Sequence, residues 1–248
     1  MEEKKNIRLI LTYDGTQYHG WQRQKNGKSI QEVIEDHLHL MTREFIHLIA
    51  SGRTDAGVHA LHQVCHLMTS TKIDPQSLQK GLNSLLPNDI FIKQAEYVPL
   101  DFHARYGARS KTYEYRIINQ PEPDIFFRSY SWHIRKTLNL DEMKKCLSSL
   151  TGEHDFSAFK STGSKNKNPV RKMLRAELGN TSQGRVTLLF EANGFLRHMV
   201  RNIVGTVVEV GLGKLGFSDF CEIFESKDRC RAGLKAPPQG LFLVDVKY

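Results

Sequence analysis

An aspartate set between two glycines is the first place in this 248-residue sequence where chemistry could be seated. The stretch Ser51-Gly52-Arg53-Thr54-Asp55-Ala56-Gly57 joins two segments with strand-like patterning. Glycine lets a backbone turn sharply and approach a ligand closely. A carboxylate there, with a reference pKa of about 3.9, is ionised at neutral pH and can serve as nucleophile or base. Taken alone, an Asp on such a loop is more often just an Asx turn. Other constellations fail on spacing. On a strand His62 and His66 share one face while His59 and Cys65 take the other, so they do not converge on a metal. Gly211-Leu-Gly-Lys-Leu-Gly216 spells a dinucleotide loop, but a helical segment precedes it and Arg231 stands where an acid is required. It reads instead as a glycine-rich helix end. There is no G-x-S-x-G elbow, Walker A loop or H-E-x-x-H. Neither a metal nor a cofactor is expected.

The elements that must hold such a loop follow from periodicity. Ile7–Tyr13 alternates apolar and polar residues as a strand does, and Asp14-Gly15 closes it. Ser29 and Glu32 form a capping box before the helical spacing of Val33, Ile34, His37, Leu38 and Met41. Strands are predicted over Phe45–Ala50, from the loop through Leu67, and over Ile90–Val98 and Lys111–Ile118. A helix opens at Asp74-Pro75 and carries Leu78, Leu82 and Leu85. The second half repeats the rhythm, with helices over Asn139–Leu150, Leu196–Val210 and Phe217–Phe224. Its strands are Val170–Leu178, Arg185–Ala192 and Leu241–Tyr248. This mixture predicts an α+β fold with mostly antiparallel sheets in two similar halves, residues 1–104 and 105–248.

Charge narrows the partners. Thirty-five Lys and Arg against 27 Asp and Glu leave a net +8, which favours a polyanion. Lys160, Lys165, Lys167, Arg171, Lys172 and Arg175 lie in one stretch without an acid. Arg105, Arg109, Lys111 and Arg116 alternate with Tyr106, Tyr113 and Tyr115. Cations neutralise phosphates while aromatic faces stack unpaired bases. Four cysteines without a CxxC pair read as reduced thiols of a cytoplasmic protein. The longest apolar runs are far too short to span a bilayer, and no secretory signal is read in the opening residues.

Five blocks, in order, resemble the tRNA pseudouridine synthase A family. They are Tyr13–Gln22, Ser51–Ala60, Asp101–Arg105 with Lys111–Tyr115, Asn193–Gly205, and Gly240–Val244. One departure is Phe242, where the family more often has tyrosine. The resemblance implies a cofactor-free isomerase that converts uridine to pseudouridine at positions 38, 39 and 40 of the tRNA anticodon stem-loop. It implies a homodimer in which one tRNA contacts both subunits. It also implies two α+β halves whose sheets join across a basic central cleft. Asp55 maps onto the catalytic carboxylate, as nucleophile or as the base that starts glycal formation. Arg201 is implied as the cation that keeps it ionised, and Arg53 as a contact to the RNA backbone or an aid to base extrusion. Tyr113 is implied to stack on the target base and Leu243 to pack beneath the uracil. Spacing alone favours an ordinary half-buried strand tyrosine at Tyr113, a core strand leucine accounts for Leu243 just as well, and phosphate binding or an ordinary helix-surface arginine accounts for Arg201. The rival classes are a non-catalytic RNA-binding protein or tRNA chaperone, and a hydrolytic RNA glycosidase.

Overall fold

A computed structural model describes residues 4–163, 168–182 and 184–248, so Lys165 and Lys167 of the basic stretch lie outside the described residues. The chain divides into two compact units, one of residues 1–109 with 242–248 and one of residues 110–241.

The first unit opens with β1 (Lys5–Tyr13), followed by α1 (Ile30–Thr42), β2 (Ile49–Ala50), β3 (His59–Thr69), α2 (Pro75–Leu85) and β4 (Ile90–Val98). On β1 the alternation predicted from sequence buries Ile7, Leu9, Leu11 and Tyr13. Each fully buried aliphatic side chain there contributes about 1.5–3 kcal/mol. β1 is central, antiparallel to both β3 and β4. The Ser29 capping box forms as predicted, and Asp74 accepts from the Gln76 and Ser77 amides to start α2 at Pro75. The expected strand over Phe45–Ala50 shrinks to Ile49–Ala50. Its burial still alternates, with Phe45 95% exposed and Ile46 and Leu48 buried. The backbone there bonds to helix side chains instead of a ladder: Leu48 N–H donates to Glu35 Oε1 (3.0 Å), and Gln31 Nε2 donates to the Leu48 carbonyl (3.1 Å).

The second unit contains β5 (Ser110–Asn119), β6 (Trp132–Ile134), α3 (Leu140–Ser148), β7 (Gly152–Asp155), β8 (Val170–Ser182), β9 (Arg185–Ala192), α4 (Met199–Gly211) and α5 (Phe217–Ser226). Its strands run β5-β9-β8-β7, all antiparallel, with β6 parallel to β5. Every residue of α4 except Glu209 is buried, so this helix is a core element and not an amphipathic one. The glycine-rich segment after it is a helix end, as its sequence predicts, and α5 begins just beyond Gly216.

The last strand, β10 (Leu241–Lys247), runs parallel to β3, with Phe242 opposite His59 and Leu243 opposite Ala60. The division of the chain therefore departs from the expected 1–104 and 105–248. Residues 242–248 return to the first unit, because they hydrogen-bond β3 there. The described residues include no helix long and apolar enough to cross a membrane.

Candidate active site

Asp55 sits in the loop between β2 and β3, half-buried, two residues after the exposed Arg53. Three neighbouring segments fix this loop. Gln63, on β3 and fully buried, donates from Nε2 to the Gly52 carbonyl (2.9 Å) and accepts at Oε1 from the Ser51 hydroxyl (2.8 Å). The same Nε2 reaches the Tyr13 phenol (3.4 Å), which lies 2.8 Å from Thr54 Oγ1. With Gln63 donating to the phenol oxygen, the phenol hydrogen is left for Thr54. Burial, partly offset by the bonds to Thr54 and Gln63, pushes the Tyr13 phenol up to about 12, so it stays neutral across the physiological range.

The opening motif supplies the third support. Trp21 N–H donates to the Thr54 carbonyl (3.1 Å), and Gly57 N–H to the Tyr18 carbonyl (3.3 Å). Gly20 has φ +88°, and a Cβ there would fall 2.6 Å from the Thr54 carbonyl oxygen. Only glycine permits the two backbones to lie this close in that conformation. Tyr18 is tied down in turn through its hydroxyl, 2.6 Å from Asp89 Oδ1. Downstream of the loop, His59 stacks on Phe242 with ring centroids 4.6 Å apart, and its Nδ1 accepts from Gly15 N–H (3.1 Å). The adjacent residue on β10, Leu243, is fully buried beside Ala60.

The remaining sequence-predicted residues belong to the second unit. Tyr113 is on β5, only 7% exposed, with the ring of Phe195 edge-on to it at 5.1 Å. Arg201 is on α4 and also 7% exposed. Its Nε donates to the Ala236 carbonyl (2.8 Å), while its own carbonyl accepts from Ala236 N–H (3.0 Å). Gly205 makes that crossing feasible: a Cβ on it would overlap the Leu234 carbonyl oxygen at 1.6 Å. An ordinary helix-surface arginine is thereby ruled out. A guanidinium taken out of water requires compensation from partners, since an unpaired one is strongly destabilising.

The histidines of β3 do not gather into a ligand set. His66 accepts at Nδ1 from Ala104 N–H (3.1 Å), and burial holds its basicity below the ordinary range. Among the described residues no three metal-binding side chains come together. Sequence reasoning passed over Tyr13, Thr54 and Gln63. A signal existed, because Gln63 lies in phase with the apolar Cys65 and Leu67, where a polar side chain has to be satisfied internally.

A sequence profile of tRNA pseudouridine synthases matches residues 9–107 and 147–248. A protein of Thermoanaerobacter sp. (strain X514), named tRNA pseudouridine synthase A, is 46% identical over 244 residues, 98% of this chain and 100% of its own. Proteins with the same name from Ruminiclostridium cellulolyticum and Caldicellulosiruptor bescii are 44% and 46% identical over the same shares of the two chains.

Proposed function

Since the chain belongs to the tRNA pseudouridine synthase A family, we propose that it converts uridines 38, 39 and 40 of the tRNA anticodon stem-loop, with Asp55 starting the reaction. It is an isomerase that forms pseudouridine in tRNA. In that reaction the N1–C1′ bond breaks, the uracil turns, and C5 bonds to C1′. The C5 hydrogen leaves as a proton and N1 gains one, so no electrons enter or leave. Asp55 either attacks the ribose or takes its proton.

The observation that carries this assignment is the seating of Asp55. The loop on its N-terminal side is held by the buried side chains of Gln63, at the Gly52 carbonyl, and Tyr13, at the Thr54 hydroxyl. A protein that only binds RNA gains nothing from fixing an anion towards phosphates. Pre-organised geometry of this kind is worth several orders of magnitude to a reaction. Arg201 is assigned the counter-charge, an assignment supported by the burial of its guanidinium. Arg53 is assigned an RNA contact, consistent with its exposure. Leu243 supports the uracil from below. Tyr113 stacks on the extruded base, because a base within a helix is out of reach of an enzyme's reacting groups. We further propose a cytoplasmic homodimer, the compartment supported by four cysteines that form no disulfide and the dimer by family resemblance.

The deciding experiment is release of tritium from tRNA labelled at uracil C5, with the modified positions then mapped. Release with pseudouridine at positions 38–40 is expected. Binding without release would favour the RNA-binding rival, and free uracil would identify a glycosidase.

A further inference from the structure

We propose that Gln63 and Tyr13 are positioning residues for Asp55, a reading that rests on Asp55 as the catalytic carboxylate. Neither touches the reacting atoms in this proposal. They act through the Ser51 hydroxyl, the Gly52 carbonyl and the Thr54 hydroxyl.

The chemistry of the site argues for more than packing. Position 63 is fully buried between apolar strand neighbours, and a methionine of similar length would fill it without desolvating an amide. The amide instead makes directional contacts to two residues of the loop, Ser51 and Gly52, and to the Tyr13 phenol on β1. The phenol carries the restraint forward to Thr54, the residue before Asp55. Both strands that anchor these side chains, β1 and β3, are paired directly to each other, Tyr13 lying opposite Ala60. The clamp therefore ties the loop to the paired strands β1 and β3. A fully satisfied buried network of this type specifies one geometry, whereas an apolar replacement leaves the loop free to shift.

The test uses the full-length protein and three variants: Gln63→Met, Tyr13→Phe, and the pair Tyr13→Phe with Thr54→Val. Single-turnover rate, tRNA affinity and melting temperature are measured for each. The rate is expected to fall about 10- to 100-fold, the range for a misplacement near 1 Å. Affinity for tRNA should stay within about twofold, because the loss is confined to the transition state. In Tyr13→Phe the Thr54 hydroxyl loses its partner and the melting temperature drops. In the paired variant both polar groups are gone, so stability returns towards wild type while the rate stays low. A merely structural role predicts the opposite, a rate that recovers with the melting temperature. That result overturns the proposal, as do wild-type rates in Tyr13→Phe and the paired variant, which decide the matter should Gln63→Met not fold. Asp55→Asn is run alongside. If it is inactive while the clamp variants are unimpaired, positioning alone fails. If it turns over like wild type, the catalytic assignment fails and the positioning proposal with it.

Discussion

Gly20→Ala is the substitution with the most consequences that can be worked out in advance. At φ +88° an L-residue is strained by about 1–2 kcal/mol. The added Cβ would also lie 2.6 Å from the Thr54 carbonyl oxygen and 3.0 Å from the Asp55 carbonyl carbon. Restoring an ordinary contact of about 3.5 Å means parting the opening motif from the Asp55 loop by about 0.9 Å. Overpacking of this kind costs a further 1–3 kcal/mol or so. At roughly 2–4 °C per kcal/mol for a chain of this size, the melting temperature should fall by about 4–20 °C. The displaced carboxylate should slow the chemical step by about 100-fold. Gly213→Ala is the control: its φ is +71°, yet a Cβ there meets nothing within 4 Å. It should carry the strain alone, lower the melting temperature by about 2–8 °C, and leave turnover unchanged. Both variants are assayed by thermal melts and by single-turnover tritium release at a temperature where both are folded. Equal turnover and equal melting temperatures for the two would refute the idea that the opening motif seats the catalytic loop.

Asp55→Asn keeps the side-chain shape but removes the charge, so turnover should vanish while tRNA affinity holds or tightens; residual turnover within about tenfold of wild type, only about 1.4 kcal/mol of barrier, would remove Asp55 from the chemistry. Asp14→Asn is its companion, since Asp14 Oδ1 accepts from the Thr16 amide (2.9 Å) and from the Thr16 hydroxyl (2.6 Å); a melting measurement should show a loss of stability with the chemical step intact. Tyr113→Phe should keep tRNA affinity, and Tyr113→Ala should lose about 1–3 kcal/mol of it; identical affinities for the two variants would mean the ring does not touch the base. Binding titrated against salt should give a steep negative slope, about 0.9 log units per phosphate contacted on duplex RNA treated as B-DNA-like, and Arg105→Gln should flatten it by about 1. A flat plot would dismiss the electrostatic reading of the basic segments.

Local signals in the sequence suffice where local physics decides the outcome. The capping box at Ser29, the Asp74-Pro75 helix start and the glycine-rich end of α4 each rest on a few adjacent residues. The strand predicted at Phe45 failed because alternation reports burial and not pairing. Two side chains of α1 took the hydrogen bonds a neighbouring strand would have supplied. Arg201 was hard to place for a different reason. Helical spacing leaves a charged residue on the solvent side, but α4 is enclosed on all sides, and its neighbours come from segments far along the chain, such as Ala236. The Asp55 loop itself was legible from its glycines. The clamp around it was not, because Tyr13, Thr54 and Gln63 meet only after β1 and β3 have paired.

The parallel pairing of β10 with β3 also sets a schedule for synthesis. Residues 110–241 form an uninterrupted unit that can close as soon as they emerge. The unit that carries Asp55 cannot, since its share of β10 is translated after that whole insertion. At elongation rates of about 5–20 residues per second, the roughly 170 residues between the end of β3 at Thr69 and Phe242 keep β3 waiting about 9–34 s for its partner. During that interval its edge is open to mispairing, and a chaperone that shields strands has something to hold. A nascent chain cut short before Leu243 would therefore hold Asp55 in an unfinished sheet, so the enzyme is armed last.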